Sequence, residues 1–192
     1  MTREERINNL ITDTNKNFSP YYKVIPDLIR KRKYKKGIEI GVFAGGHAQA
    51  MLDNTGLESL IGIDPYQIYR RGGMPSGITD QEDFDYLCDE VNRRLGNTKY
   101  VHLKMTSDEA FHNSIFCDIE FDFVFIDGMH TYEQIKKDLT NYSMLIRKGG
   151  VISCHDYHHP NFPTLTTAID EFAKQHHTKV IRGPLHLIYM EW

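Results

Sequence analysis

The 192 residues carry a formal net charge of −3, and their 40% hydrophobic and 26% charged content is ordinary for one globular domain with a sizeable core. The charge excludes a general attraction to polyanions, no run approaches the roughly 18 apolar residues of a membrane span, and the opening Met1-Thr2-Arg3-Glu4-Glu5-Arg6 lacks a secretory signal's apolar core. A soluble cytoplasmic protein without a membrane partner is expected, and Cys88, Cys117 and Cys154, far apart and with no C-x-x-C pair, argue against a disulfide framework or a thiolate zinc site.

Ile7, Leu10 and Ile11 recur at helical spacing over residues 2–16, as do Val24, Ile25, Leu28 and Ile29 over 20–34, so two helices precede a core of residues 35–192 and are placed to cover its mouth. The cations from Arg30 to Lys36 close the second helix against its dipole, and no nucleic-acid partner is expected of them. A strand over 37–43 then enters a glycine turn and a helix ending near Asn54-Thr55-Gly56, and a second strand over 59–64 ends in Asp64. The glycines of the turn, Gly41, Gly45 and Gly46, do not make the G-x-G-x-x-G of a dinucleotide site, and no Lys-Ser or Lys-Thr follows as in a triphosphate loop. Glu39, two residues before Gly41, repels a phosphate and attracts an ammonium or sulfonium. Asp64 lies 19 positions after Gly45, close to the roughly 20-residue offset at which an acid reaches a ribose diol. A cationic nucleoside fits this stretch better than a dinucleotide, with a cofactor-free turn as the plain alternative.

Residues 66–79 have neither period and form the one long loop, either a lid over cofactor and acceptor or a surface connection. A helix over 80–95 stops at Gly96, a strand follows over 100–105, and Ser107 caps a helix with Ala110 and Phe111. The run 121–127 is apolar almost throughout, as a strand covered on both faces should be. Tyr132, Ile135, Leu139, Tyr142 and Leu145 line the next helix, which is expected to close at Lys148-Gly149-Gly150 before a strand over 151–154. After a helix over 163–176, strands at 179–182 and 185–190 are joined only by Gly183-Pro184, which forces an antiparallel hairpin.

Glu39, Gly41 and Asp64 resemble the first two motifs of class I S-adenosylmethionine-dependent methyltransferases. The segments Ile126-Asp127-Gly128-Met129-His130-Thr131-Tyr132-Glu133 and Gly149-Gly150-Val151-Ile152-Ser153-Cys154-His155-Asp156-Tyr157 resemble those of the small family related to macrocin and other sugar O-methyltransferases. The resemblance implies an α/β, doubly wound, mostly parallel seven-stranded sheet with the last strand antiparallel, one methyltransferase domain over 1–192, and S-adenosylmethionine as cofactor. It assigns Glu39, Gly41 and Gly45 to the methionine moiety and its turn, Asp64 to the ribose, Thr106 and Ser107 to the adenine, and Asp127 to the same edge. The acceptor it implies is a small polar or sugar-like molecule methylated on oxygen. Its composition carries no signal of oligomeric state.

Two roles stay open at the chemical end. By the resemblance, Asp127 and Asp156 match the places where some relatives hold a magnesium ion, although His155 stands where a second aspartate can occur. His130, three residues after Asp127, matches a position that holds a catalytic base in related enzymes, and an imidazole of ordinary pKa near 6.5 takes a hydroxyl proton near neutral pH. Asp127 and His130 are therefore the candidate catalytic pair. Two rival readings remain: a metal-dependent hydrolase built on His130, His155, His158, His159 and the aspartates, and a nucleoside-binding protein without transfer activity.

Overall fold

The computed structural model of the chain describes residues 1–53, 55–68, 77–96, 99–117 and 119–192. Helix α1 (Arg3–Phe18) starts in a reciprocal cap in which Thr2 accepts from the Glu5 amide while the Glu5 carboxylate takes the Thr2 amide. A 3-10 turn at Tyr21–Lys23 leads into α2 (Val24–Arg32). The core then runs β1 (Lys36–Ile40), α3 (Gly46–Leu52), β2 (Ser59–Ile63), α4 (Gln81–Leu95), β3 (Tyr100–Leu103), α5 (Ser107–Phe111), β4 (Phe121–Ile126), α6 (Tyr132–Ser143), β5 (Ile146–Cys154), α7 (Pro163–Gln175), β6 (Ile181–Arg182) and β7 (Ile188–Glu191).

The strands lie in the order β3-β2-β1-β4-β5-β7-β6. β1 to β5 pair in parallel, and β7 is antiparallel to both its neighbours, so one strand is reversed, as expected. The chain winds outward through β2 and β3, then returns to β4 beside β1. Strand order therefore reverses between β1 and β4, and the crevice beyond their carboxyl ends is where an open α/β sheet binds ligands. All six residues of β4 are buried, because Phe123 and Phe125 pack under α1 to α4 while Val124 and Ile126 pack under α6 and α7.

Helix α1 is held on α4 by Asp83, which is fully buried and takes hydrogen bonds from Arg3 at 2.9 Å, from Arg6, and from the Thr79 amide and hydroxyl at 2.8 and 2.7 Å. The basic run closes α2 as expected, and Arg30, Arg32 and Lys35 pair with Asp27, Glu191 and Glu58. Among the described residues no helix is long and apolar enough to cross a membrane.

Several boundaries differ from the sequence reading. β1 ends at Ile40 instead of residue 43, because Gly41 turns to φ +87°. The cap of α5 is Thr106, one residue before Ser107. The helix expected to reach Lys148 stops at Ser143, and Lys148-Gly149-Gly150 lies inside β5. Gly149, at φ +80°, makes the irregularity there, and its amide is taken up by the Trp192 carbonyl at 2.6 Å. The last strand begins at Ile188 instead of Leu185, since Leu185 and His186 both have positive φ and cannot extend a ladder. Of the proposed lid, residues 69–76 lie outside the described residues.

Candidate active site

Gly41 sits at the reversal point. A Cβ there would run into the Asp127 carbonyl, and its φ of +87° suits glycine alone, so the ends of β1 and β4 meet only because this residue has no side chain. The turn that follows is held by Asp64. One carboxylate oxygen accepts from the Val42 and Phe43 amides at 3.0 and 2.9 Å, and the other from the Tyr66 amide at 2.9 Å. Burial pushes the Asp64 carboxyl up from its ordinary range, against the pull of those three amides.

Two cavities meet at Gly41. The smaller, about 140 Å³, is lined by Asp64, Pro65, Thr106, Ser107, Gly128 and Gln134 among others. Thr106 is engaged with Glu109 in the cap of α5, and the Ser107 hydroxyl accepts from Gln134 at 3.1 Å. The larger, about 560 Å³, runs from Glu39 past Asp127, His130, His155 and Asp156 to Phe162 and His186. Gly45 lines neither of these. It stands at φ +73° ahead of α3, where a Cβ would come within 2.9 Å of Val91, so its lack of a side chain serves the packing of α3 on α4.

In the floor of the larger cavity one Glu39 oxygen bonds the His47 Nδ1 at 3.0 Å, and the other is buried without a partner. Burial raises the Glu39 carboxyl and His47 opposes it. His47 is fixed edge-on to Phe125, with centroids 4.2 Å apart, and stacked on Tyr22 at 5.4 Å. Tyr21 closes the wall, its ring 4.4 Å from His155 and its hydroxyl 3.4 Å from Asp127. No lysine or arginine lines this cavity among the described residues.

The far wall carries a compact charged cluster. His130 Nε2 lies 3.4 Å from Asp127 and 3.0 Å from Asp156, and His155 Nδ1 lies 3.6 and 3.2 Å from the same two carboxylates. Burial alone would lower both imidazoles, yet the paired carboxylates outweigh it and hold His130 at about 9 and His155 at about 10. Desolvation pulls the other way on the acids too, and the two histidines keep Asp127 at about 2 and Asp156 well below the carboxylate range. The two carboxylates thus favour the protonated form of the His130 imidazole. Asp127, His130 and Asp156 present ligand atoms all within 4.8 Å of one another, a set able to hold a metal ion.

The sequence-predicted residues thus divide. Glu39, Gly41, Asp127, His130 and Asp156 share one cavity, Asp64, Thr106 and Ser107 share its neighbour with Gly41 between them, and Gly45 stands apart. The four-histidine set of the hydrolase reading does not assemble, because His158 turns away to accept from Arg182 at 2.8 Å. Tyr21, Tyr22, His47 and His186 were missed. The aromatic pair after Pro20 and the histidine eight residues after Glu39 were the available signals, and His186 offered none.

A family model described as a methyltransferase domain matches residues 38–157, more than half of the chain. An uncharacterized protein of Acanthamoeba polyphaga mimivirus is 32% identical over 126 residues, which are 62% of this chain and 50% of that protein, so the match spans half the relative's length. Among solved structures, an O-methyltransferase from Bacillus cereus in complex with SAH superposes with a TM-score of 0.64 at 11% identity, covering 98% of this chain and 91% of that one. A TDP-rhamnose 3′-O-methyltransferase of calicheamicin biosynthesis gives 0.61 at 16%, covering 99% and 93%. At such identities the likeness is one of fold. The doubly wound sheet, with its ligand crevice at Gly41, and the match over 38–157 together establish that the chain belongs to the methyltransferase-domain family.

Proposed function

We propose that the protein transfers the methyl group of S-adenosylmethionine to a hydroxyl oxygen of a small polar, sugar-like acceptor. One observation carries the cofactor reading: Glu39, one of whose oxygens is buried without a partner, lines a cavity that no lysine or arginine among the described residues enters. An orphan carboxylate oxygen is costly unless a cation completes it, and the cofactor's ammonium and sulfonium are such cations. The adenosine then extends past Gly41 into the smaller cavity beside Asp64, Thr106 and Ser107. The acceptor enters the far end of the larger cavity, where Tyr21, Phe162 and the histidines exclude water around an in-line displacement. The names of the two solved relatives support oxygen as the methylated atom and, in one, a sugar as its carrier.

Asp127, His130 and Asp156 fit a divalent cation by their chemistry. Two carboxylates suit a hard ion such as magnesium, and the imidazole widens the set towards manganese or iron. Such an ion, when bound, supplies Lewis-acid polarisation of the acceptor hydroxyl. Asp127 and Asp156 would hold it, and beside its positive charge His130 would lose its proton, so that the neutral imidazole would complete the set or take the proton of the acceptor hydroxyl.

Titration calorimetry tests this reading. Wild-type protein should bind S-adenosylhomocysteine, Asp64→Ala should lose binding as the turn loosens, and Glu39→Gln should weaken it at least about tenfold by removing charge. A chelator should stop turnover and added manganese or magnesium restore it, with Asp156→Ala equally inactive. Tight NADH binding without response to S-adenosylhomocysteine would overturn the cofactor assignment, and chelator-resistant turnover in a folded Asp156→Ala protein would remove the metal.

A further inference from the structure

The β5–α7 and β6–β7 connections meet over the acceptor end of the larger cavity, and both are strained. Asp156 and His158 have φ of +58° and +60°, and Leu185 and His186 have φ of +47° and +64°. Side chains with a Cβ rarely adopt this conformation, and clusters of it mark places where a fold holds a group against its local preference. The two connections are laced together by the Tyr157 amide donating to the His186 carbonyl at 2.9 Å and by the His186 ring donating to the Tyr157 carbonyl.

Their backbone contacts fix two opposite imidazole tautomers. His186 Nδ1 lies 3.1 Å from the Tyr157 carbonyl, and a carbonyl only accepts, so Nδ1 carries the hydrogen and the neutral ring presents Nε2 as an acceptor. His159 Nδ1 receives the Asn161 amide at 3.2 Å, so that nitrogen keeps its lone pair and the neutral ring presents Nε2–H as a donor. The rings stand 5.1 Å apart at 71°, both line the cavity, and neither Nε2 makes a hydrogen bond among the described residues. Phe162 stacks on His159 at 5.2 Å and on His130 at 4.3 Å, forming an apolar bridge from this pair to the charged cluster.

We propose that His159 and His186 are specificity-determining residues that together read a second hydroxyl of the acceptor, one that is not methylated. A hydroxyl donates and accepts at once, whereas an ether or carbonyl only accepts and an ammonium only donates, so the pair selects for a hydroxyl. The acceptor is therefore polyhydroxylated: one oxygen reaches Asp127 and Asp156, and another is held at the histidine pair across the Phe162 ring. This rests on the methyl-transfer reading above, but its first test does not.

Isotope-labelled imidazole nitrogens, followed by NMR of the protein with and without added S-adenosylhomocysteine, report the tautomers directly. Neutral His159 should carry its hydrogen on Nε2 and neutral His186 on Nδ1, and either in the opposite form would overturn the proposal, whether or not the cofactor binds. Methyl α-rhamnopyranoside, methyl α-glucopyranoside and catechol are then added in turn. Both rings should shift with at least one probe and not with its deoxy or singly hydroxylated analogue. A panel that moves neither ring, or a probe that is methylated without moving them, would also overturn the proposal. For a probe that turns over, His186→Phe should raise KM by about tenfold or more with kcat nearly unchanged, and His186→Gln, whose amide reaches the Nε2 position, should recover most of the loss. Failure of S-adenosylhomocysteine to bind at all would instead count against the function proposed above.

Discussion

Gly41 is where the smaller and larger cavities touch, and it does two things no other residue could do there: it turns to a positive φ and lets the β4 end lie against it. Gly41→Ala should therefore cost more than the about 1–2 kcal/mol of a left-handed residue alone, because the clash is with backbone. Thermal melts would show a large fall in Tm, and calorimetry a loss of S-adenosylhomocysteine binding; an unchanged Tm would mean the turn can give way. The charged cluster makes a second residue-scale prediction. His130 and His155 have folded pKa values raised to about 9 and about 10. Their contribution to stability is full below the unfolded imidazole value of about 6.5 and is lost as pH rises through about 9 and 10. In chelated protein, the Tm advantage of wild type over a His130→Gln, His155→Gln double variant should shrink steadily from pH 6.5 to pH 10. A constant gap would show that the carboxylates do not hold those protons. Sequence reading found both aspartates and His130 because strand ends carry chemistry in this kind of sheet. It assigned His130 an ordinary pKa because a linear reading does not show that two carboxylates flank one ring.

Helix α1 shows how an element far from the chemistry shapes the site. Its first turns are fixed to α4 through Asp83, and its last turn brings Thr14, Asn17 and Phe18 to the larger cavity. Asp83 is fully buried while Glu82, which also pairs with Arg3, is mostly exposed. Asp83→Ala should thus cost about 3 kcal/mol in urea unfolding, since several donors lose a buried partner, whereas Glu82→Ala should stay within about 0.5 kcal/mol. Equal effects would deny the latch its role. The periodicity of Ile7, Leu10 and Ile11 made the helix legible, and its expected place over the mouth agrees with the cavity lining. The latch was not legible, because Arg6 and Asp83 are 77 positions apart and neither type is unusual on a helix. Helix α6 failed in the opposite way: Leu145 continued its apolar period, but β5 claimed Ile146 beside Phe121, and sheet pairing overrode helical propensity.

At the scale of the molecule, the apolar run of β4 and the short link after Arg182 marked a buried central strand and an antiparallel hairpin, and the resemblance to methyltransferase motifs supplied the doubly wound order. The meeting of His159 with His186 was not readable, because it depends on how the reversed strand draws the hairpin back over the cavity. That reversed strand also sets the order in which the molecule can be completed. β6 reaches the sheet only through β7, so while a ribosome is still short of residue 188, the buried run of β5 offers its bare edge to any other chain. A fragment ending at residue 187 should aggregate at concentrations where the full chain stays dispersed, as light scattering would register; equal dispersion of the two would show that something else guards that edge. The half of the sheet that carries His155 and His186 is thus assembled late in translation, and crowding in that interval falls on it first.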